Sequence, residues 1–213
     1  MEFDGHIIGA SFASGDRIVA GRWLRSPFGA FADVMWCRPD GWRVLLAPSE
    51  PVRDFLTRHY AFDESRIEPA RVERCDDGTI EIAAGPLRVS LEPEAPSIAS
   101  WLLALRPRRL RTSTRWIGLE DRLLRPLVRR VFGARDVRTV GVTAAGAREW
   151  YAIHGYRGAR AVGRVDGVDL GPAAPGPPAR FGFSEAPAQP AIVRVTSMFE
   201  PAETTGRFGG ARP

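Results

Sequence analysis

The chain of 213 residues contains no lysine and no asparagine, and Gln189 is its one glutamine. The missing lysine removes whole classes of chemistry. A Schiff-base amine, a pyridoxal-phosphate anchor and a P-loop all need a lysine side chain. Arginine cannot stand in, because its guanidinium stays protonated in proteins. Cysteine is scarce as well. Cys37 and Cys75 are the only two, too few for a four-cysteine zinc site or a CxxC redox pair. Each falls in a predicted strand, and both read as free buried thiols in a reducing compartment. The three histidines are scattered, with no HExxH or His-x-His spacing, so neither a metal nor a cofactor is expected. Long apolar runs are also missing. The most apolar stretch, residues 98–105, is far too short to span a bilayer. The opening Met1-Glu2-Phe3-Asp4 lacks the basic and apolar regions of a signal peptide. The expectation is a soluble, cytoplasmic protein.

Arginine is what the chain has in excess. Lysine and asparagine codons are rare in GC-rich genomes, so part of the arginine content reflects mutational bias. Bias does not explain its placement. Eleven of the thirty arginines lie between Arg106 and Arg138, opposed there only by Glu120, Asp121 and Asp136, a net charge of +8. The rest of the chain carries −3. Arg108, Arg109 and Arg111 sit in a polar connector. Arg122, Arg125 and Arg129 share one face of a predicted helix whose other face is a leucine stripe. Such a basic amphipathic segment is a candidate dock for an anionic membrane surface or an acidic protein. Nucleic acid is not expected, because the block lacks interleaved Tyr or Phe and no helix-turn-helix, zinc-finger or RNP pattern is present.

Four hairpin signals, each with Asp beside Gly, organise the remainder: Ser14-Gly15-Asp16, Pro39-Asp40-Gly41, Asp76-Asp77-Gly78 and Asp166-Gly167. They are flanked by runs rich in Val, Ile, Phe and Trp at residues 7–13 and 17–24, 31–38 and 42–47, 66–75 and 79–84, and 161–165 and 168–170. Residues 87–91 alternate in the same way, and 191–199 forms a final strand. Helices are predicted over 49–60, 96–105 and 116–132. The first has Ser49 as N-cap, Pro51 in its first turn, and an apolar face of Val52, Phe55, Leu56 and Tyr60.

The fold class is therefore α+β and mostly antiparallel β, a single sheet or partly closed barrel with two to three short helices. Residues 1–200 form one domain, with the arginine-rich helical segment inserted at about 96–133, and 201–213 read as a flexible C-terminal tail. In size and in its mix of strands and short helices the chain is loosely similar to acetoacetate-decarboxylase-like barrels and lipocalin-like ligand binders. The first family's catalytic amine is a lysine, which is absent here. The likeness is one of fold and carries no function.

Residues 149–156 hold the densest set of functional side chains. On a regular strand Trp150, His154 and Tyr156 face one way and Glu149 and Tyr151 the other. Trp36, Trp150, Tyr151, His154 and Tyr156 are candidates to line a pocket for a small apolar or aromatic ligand, which predicts an enclosed cavity of at least ~300 Å³. That is the leading functional reading. Docking through the basic helix is a second. A third is an enzyme in which Asp33 or Glu149 works with His154. Asp33 is a polar outlier on the face of Phe31, Met35 and Cys37, with Arg22 as its candidate partner.

Overall fold

The computed structural model describes residues 1–96, 136–175 and 178–201. Within them the chain forms one sheet of twelve strands and one α-helix. The strands are β1 (Glu2–Ser11), β2 (Arg17–Arg25), β3 (Phe31–Cys37), β4 (Arg43–Ala47), β5 (Glu64–Ile67), β6 (Ala70–Arg74), β7 (Ile80–Ala84), β8 (Leu87–Pro93), β9 (Val140–Val142), β10 (Arg148–Val165), β11 (Val168–Asp169) and β12 (Ala191–Glu200). The helix α1 (Glu50–His59) lies between β4 and β5. The order across the sheet is β5-β4-β3-β2-β1-β12-β10-β8-β7-β6, with β9 and β11 pairing on β10. Every pairing is antiparallel except β4 with β5.

All four predicted turns form. At the last of them Asp166 and Gly167 both take positive φ, 50° and 80°. This is the pattern a two-residue hairpin turn requires, and glycine and aspartate adopt it at low cost. The run 66–75 is not one strand. It divides at Pro69, which has no N–H to give a ladder, into β5 and β6. Because α1 intervenes, β5 returns parallel to β4, as a helical crossover allows and a hairpin does not. Of the predicted helices, 49–60 is α1. It has Ser49 at the N-cap position without a side-chain cap bond. The helices predicted at 96–105 and 116–132, and the tail from 202, lie outside the described residues.

The sheet curls into a half-barrel. Its concave face holds a core that draws on both ends of the strand order: Val34, Trp36, Val44 and Leu46 from one arm, and Val72, Ile82, Leu87 and Leu91 from the other. Strand β6, last in the order, touches β2 and β3. Each fully buried Val, Leu or Ile stabilises this closure by about 1.5–3 kcal/mol. On the convex face α1 lays Val52 and Leu56 over Leu45 and Ala47. Phe12 and Ile18 belong to the concave core, whereas their neighbours Arg17 and Val19 project to the convex side.

Cys37 is buried in a convex-face cluster with Ala179 and Phe181. Cys75 is exposed, which corrects the expectation of two buried thiols. It lies just past the end of β6, where the chain enters the Asp76-Asp77-Gly78 turn. A thiol reagent is expected to label one cysteine in the native protein and the second only after denaturation. Two equally fast labels would contradict this burial pattern.

Candidate ligand cavity

The sequence pattern of 149–156 is altered by one extra residue. The pairing of β10 with β12 shifts register between Ile153 and Gly155, so His154 forms a bulge and the alternation of faces inverts after it. Glu149, Tyr151 and Ile153 face the convex side, and so does Tyr156, which packs with Ile153, Val137 and Val193. Trp150 faces away from Glu149 and packs with Ala152, Val140 and Met198.

On the convex face a cavity of about 160 Å³ lies between β1–β3, α1, the first half of β10, β12 and the segment 181–187. Its walls are aromatic and aliphatic. Phe3 stacks on Phe55 with ring centroids 5.1 Å apart, and Phe199 meets both rings edge-on. Tyr151 stacks on Phe183 at 5.6 Å. Val19, Met35, Ile153 and Val195 complete the apolar lining.

Two buried carboxyl groups stand at this apolar site. Asp33 lines the cavity and is 2 % exposed. Its Oδ1 accepts one hydrogen bond, 2.9 Å from Trp23 Nε1. Burial pushes its pKa up to about 7, and the Trp23 bond only partly offsets this. The indole reaches it because Gly21 lies opposite Asp33 in the β2–β3 register. A Cβ at Gly21 would sit 2.5 Å from both Asp33 Oδ1 and Trp23 Nε1. Glu149 is the second carboxyl, fully buried. Its Oε1 accepts from the Tyr60 hydroxyl at 2.6 Å and from Ser197 Oγ at 3.1 Å, while Oε2 is buried without a partner. Burial raises its pKa to about 7. Burial, with the Glu149 charge next, holds the Tyr60 and Tyr151 hydroxyls well above their ordinary value, so both stay protonated donors.

The structure separates the residues singled out from sequence. Tyr151 and Asp33 line this cavity. Trp36 is in the concave core, where its Nε1 donates to Asp16 Oδ1 at 2.7 Å. His154 borders a second cavity on the concave side, whereas the Tyr156 side chain belongs to the convex-face cluster of Val137, Ile153 and Val193. His154 Nε2 is 2.8 Å from Thr196 Oγ1, whereas the next residue of β12, Ser197, bonds Glu149 on the opposite face. One sheet thickness therefore lies between His154 and both carboxyls, Asp33 and Glu149. Arg22 also faces the concave side, so the partner of Asp33 is Trp23 and not Arg22. Arg108, Arg109, Arg111, Arg122, Arg125 and Arg129 lie outside the described residues. Sequence reasoning did not single out Tyr60 and Ser197. Tyr60 counted only as part of the apolar face of α1, although a buried phenol needs a partner.

The segment 181–187 closes the cavity and is tied down by Arg17. This arginine is 1 % exposed, and its Nη2 donates to the carbonyls of Ala186 and Pro187 at 2.8 and 2.7 Å. Glu185 lies 3.9 Å from its Nη1.

No family model, no curated protein and no solved structure matches this chain. Among the described residues no helix is long and apolar enough to cross a membrane.

Proposed function

We propose that the protein binds a small aromatic ligand, without chemistry, in the convex-face cavity. The observation that carries this reading is Asp33, a fully buried carboxyl in an apolar cavity with a single hydrogen-bond partner. A buried polar group of this kind is costly unless something completes its bonding. A few placed polar groups in an apolar pocket are how small-molecule sites fix orientation. A cavity of about 150 Å³ with apolar walls accommodates one benzene-sized ring, and this one is of that size. It is smaller than the ~300 Å³ looked for from sequence, which limits the ligand to a single ring. A ring bearing a hydroxyl or amino donor would pair with the ionised Asp33 above pH 7.

Thermal unfolding with excess phenol or toluene tests the reading. Both are expected to raise the midpoint of the native protein at pH 8, phenol by more. In Asp33→Leu the toluene shift remains and the phenol advantage disappears. No shift with either ring in the native protein would overturn the proposal.

A further inference from the structure

The concave face of the sheet changes character at one end, where β1, β2, β6 and β12 turn from apolar to basic side chains. Along β1 the inward row runs Ala10, Ile8 and then His6. Along β2 it runs Ile18, Ala20 and then Arg22. On β6 Val72 is followed by Arg74, and on β12 Ile192 by Arg194. The strand register aligns these changes. His6 pairs with Arg22 on one side and with Arg194 on the other, and Arg194 pairs with Gly155 beyond it. Arg74 comes across from the other arm of the curl, and Arg157 from beyond the β10 bulge.

These side chains line a cavity of about 420 Å³ at the mouth of the half-barrel. Its floor and walls are apolar, with Ile8, Ile80, Ile192 and Pro93 among them. Its charge is strongly positive. Of the four arginines, Arg194 is occupied by Asp4, with contacts of 2.6 and 2.9 Å. No described carboxylate lies within ion-pair distance of Arg22, Arg74 or Arg157. Three guanidinium groups left uncompensated around one concavity repel each other, and low-dielectric walls strengthen that field. The field registers on His6. Burial first, then Arg194 and Arg22, holds its pKa down to about 4. Its buried Nδ1 has no hydrogen-bond partner.

We infer that this cavity is a binding site for a phosphate monoester carried on a small apolar or aromatic body. Guanidinium forks converging from two arms of a sheet suit a tetrahedral group with three terminal oxygens. A carboxylate fills only one such fork. The volume is within the range of small-molecule pockets and exceeds what phosphate alone needs. The isoleucine walls would take the apolar body. This site is on the opposite face from the aromatic cavity, and its occupancy does not depend on that reading.

Calorimetric titration of the full chain with phenyl phosphate at low salt tests it. Arg22→Gln and Arg74→Gln are each expected to weaken binding about tenfold, the loss of one charge-assisted fork. Neither arginine holds a structural ion pair, so folding should survive both changes. Arg160→Gln, whose side chain pairs with exposed Glu92 across β10 and β8, should leave the affinity unchanged. Asp33→Leu should do the same, which separates this site from the aromatic cavity. Inorganic phosphate alone should bind at least about tenfold more weakly than phenyl phosphate, since it gains nothing from the isoleucines. The inference is overturned by no binding to the native protein, by an equal loss in Arg160→Gln and Arg22→Gln, or by equal affinity for inorganic phosphate.

Discussion

Replacing Arg17 with alanine lowers the stability of the protein by about 3–5 kcal/mol, the usual cost of removing one partner from a buried charge pair. The side chain is almost fully buried at the start of β2 and reaches the convex face, where it holds residues 185–187 by two carbonyls and a nearby carboxylate. Its loss leaves Glu185, 7 % exposed, without that cation. It also leaves the Ala186 and Pro187 carbonyls without their guanidinium donor. Burial alone disfavours the arginine charge, and the Glu185 charge offsets part of that penalty. Chemical denaturation of Arg17→Ala and Arg17→Met separates packing from charge. Methionine keeps the apolar stem yet loses the fork, so it should lose nearly as much as alanine. Adding Glu185→Met should recover part of the loss, because the buried carboxylate that faced Arg17 is then gone as well. The phenol shift should vanish in Arg17→Ala, since residues 184–187 close the cavity. A loss below about 1 kcal/mol would mean that other contacts hold that segment down.

The sequence made the hairpins legible because each rests on a local device, an Asp–Gly turn between alternating runs. It made α1 legible through Pro51 and the Val52/Leu56 spacing. One strand of the site was harder to read. β10 runs for 18 residues, pairing with β12 in its first half and β8 in its second. A single bulge at His154 reverses which side chains meet. Periodicity counts residues and cannot see an extra one. Asp33 was visible as a carboxylate on an apolar strand, but its partner was decided by register: Gly21 opposite Asp33 leaves room for the Trp23 indole, while Arg22 points through the sheet. The concave arginines were invisible for a different reason. Arg22, Arg74, Arg157 and Arg194 are tens of residues apart and meet only because the sheet curls. The conspicuous cluster at 106–138 is local in sequence. The one with a defined cavity is assembled by topology.

The stability of Asp33→Asn relative to the native protein should depend on pH with a definite sign. Asp33 has a folded pKa of about 7 against an ordinary 3.8, because burial disfavours its charge. Below pH ~4 the carboxyl is neutral in both folded and unfolded chains and costs little. Between ~4 and ~7 the folded state keeps a proton that the unfolded state has released, so native stability falls as pH rises. Above ~7 both states are ionised and the loss is complete. Asparagine imitates the protonated form, and its Oδ1 can still accept from Trp23. The variant should therefore match the native protein near pH 4, gain on it through the window, and lead by a constant margin above ~7. One pKa unit corresponds to 1.36 kcal/mol, so the margin is on the order of 4 kcal/mol. Glu149→Gln should add a second gain of the same sign over ~5 to ~7, because burial raises that pKa as well. Taking the difference between variant and native protein is essential, since other groups titrate nearby. His6, held neutral to about pH 4, makes the native protein more stable as pH rises from there to ~6.5. Asp4, kept near 2 chiefly by Arg194, loses its contribution as pH falls from 3.8 to about 2. Both are unchanged in the variant and cancel. Urea denaturation of both proteins at pH 4, 6 and 8 measures the margin directly. A margin that does not grow with pH would show that Asp33 ionises as an ordinary carboxylate.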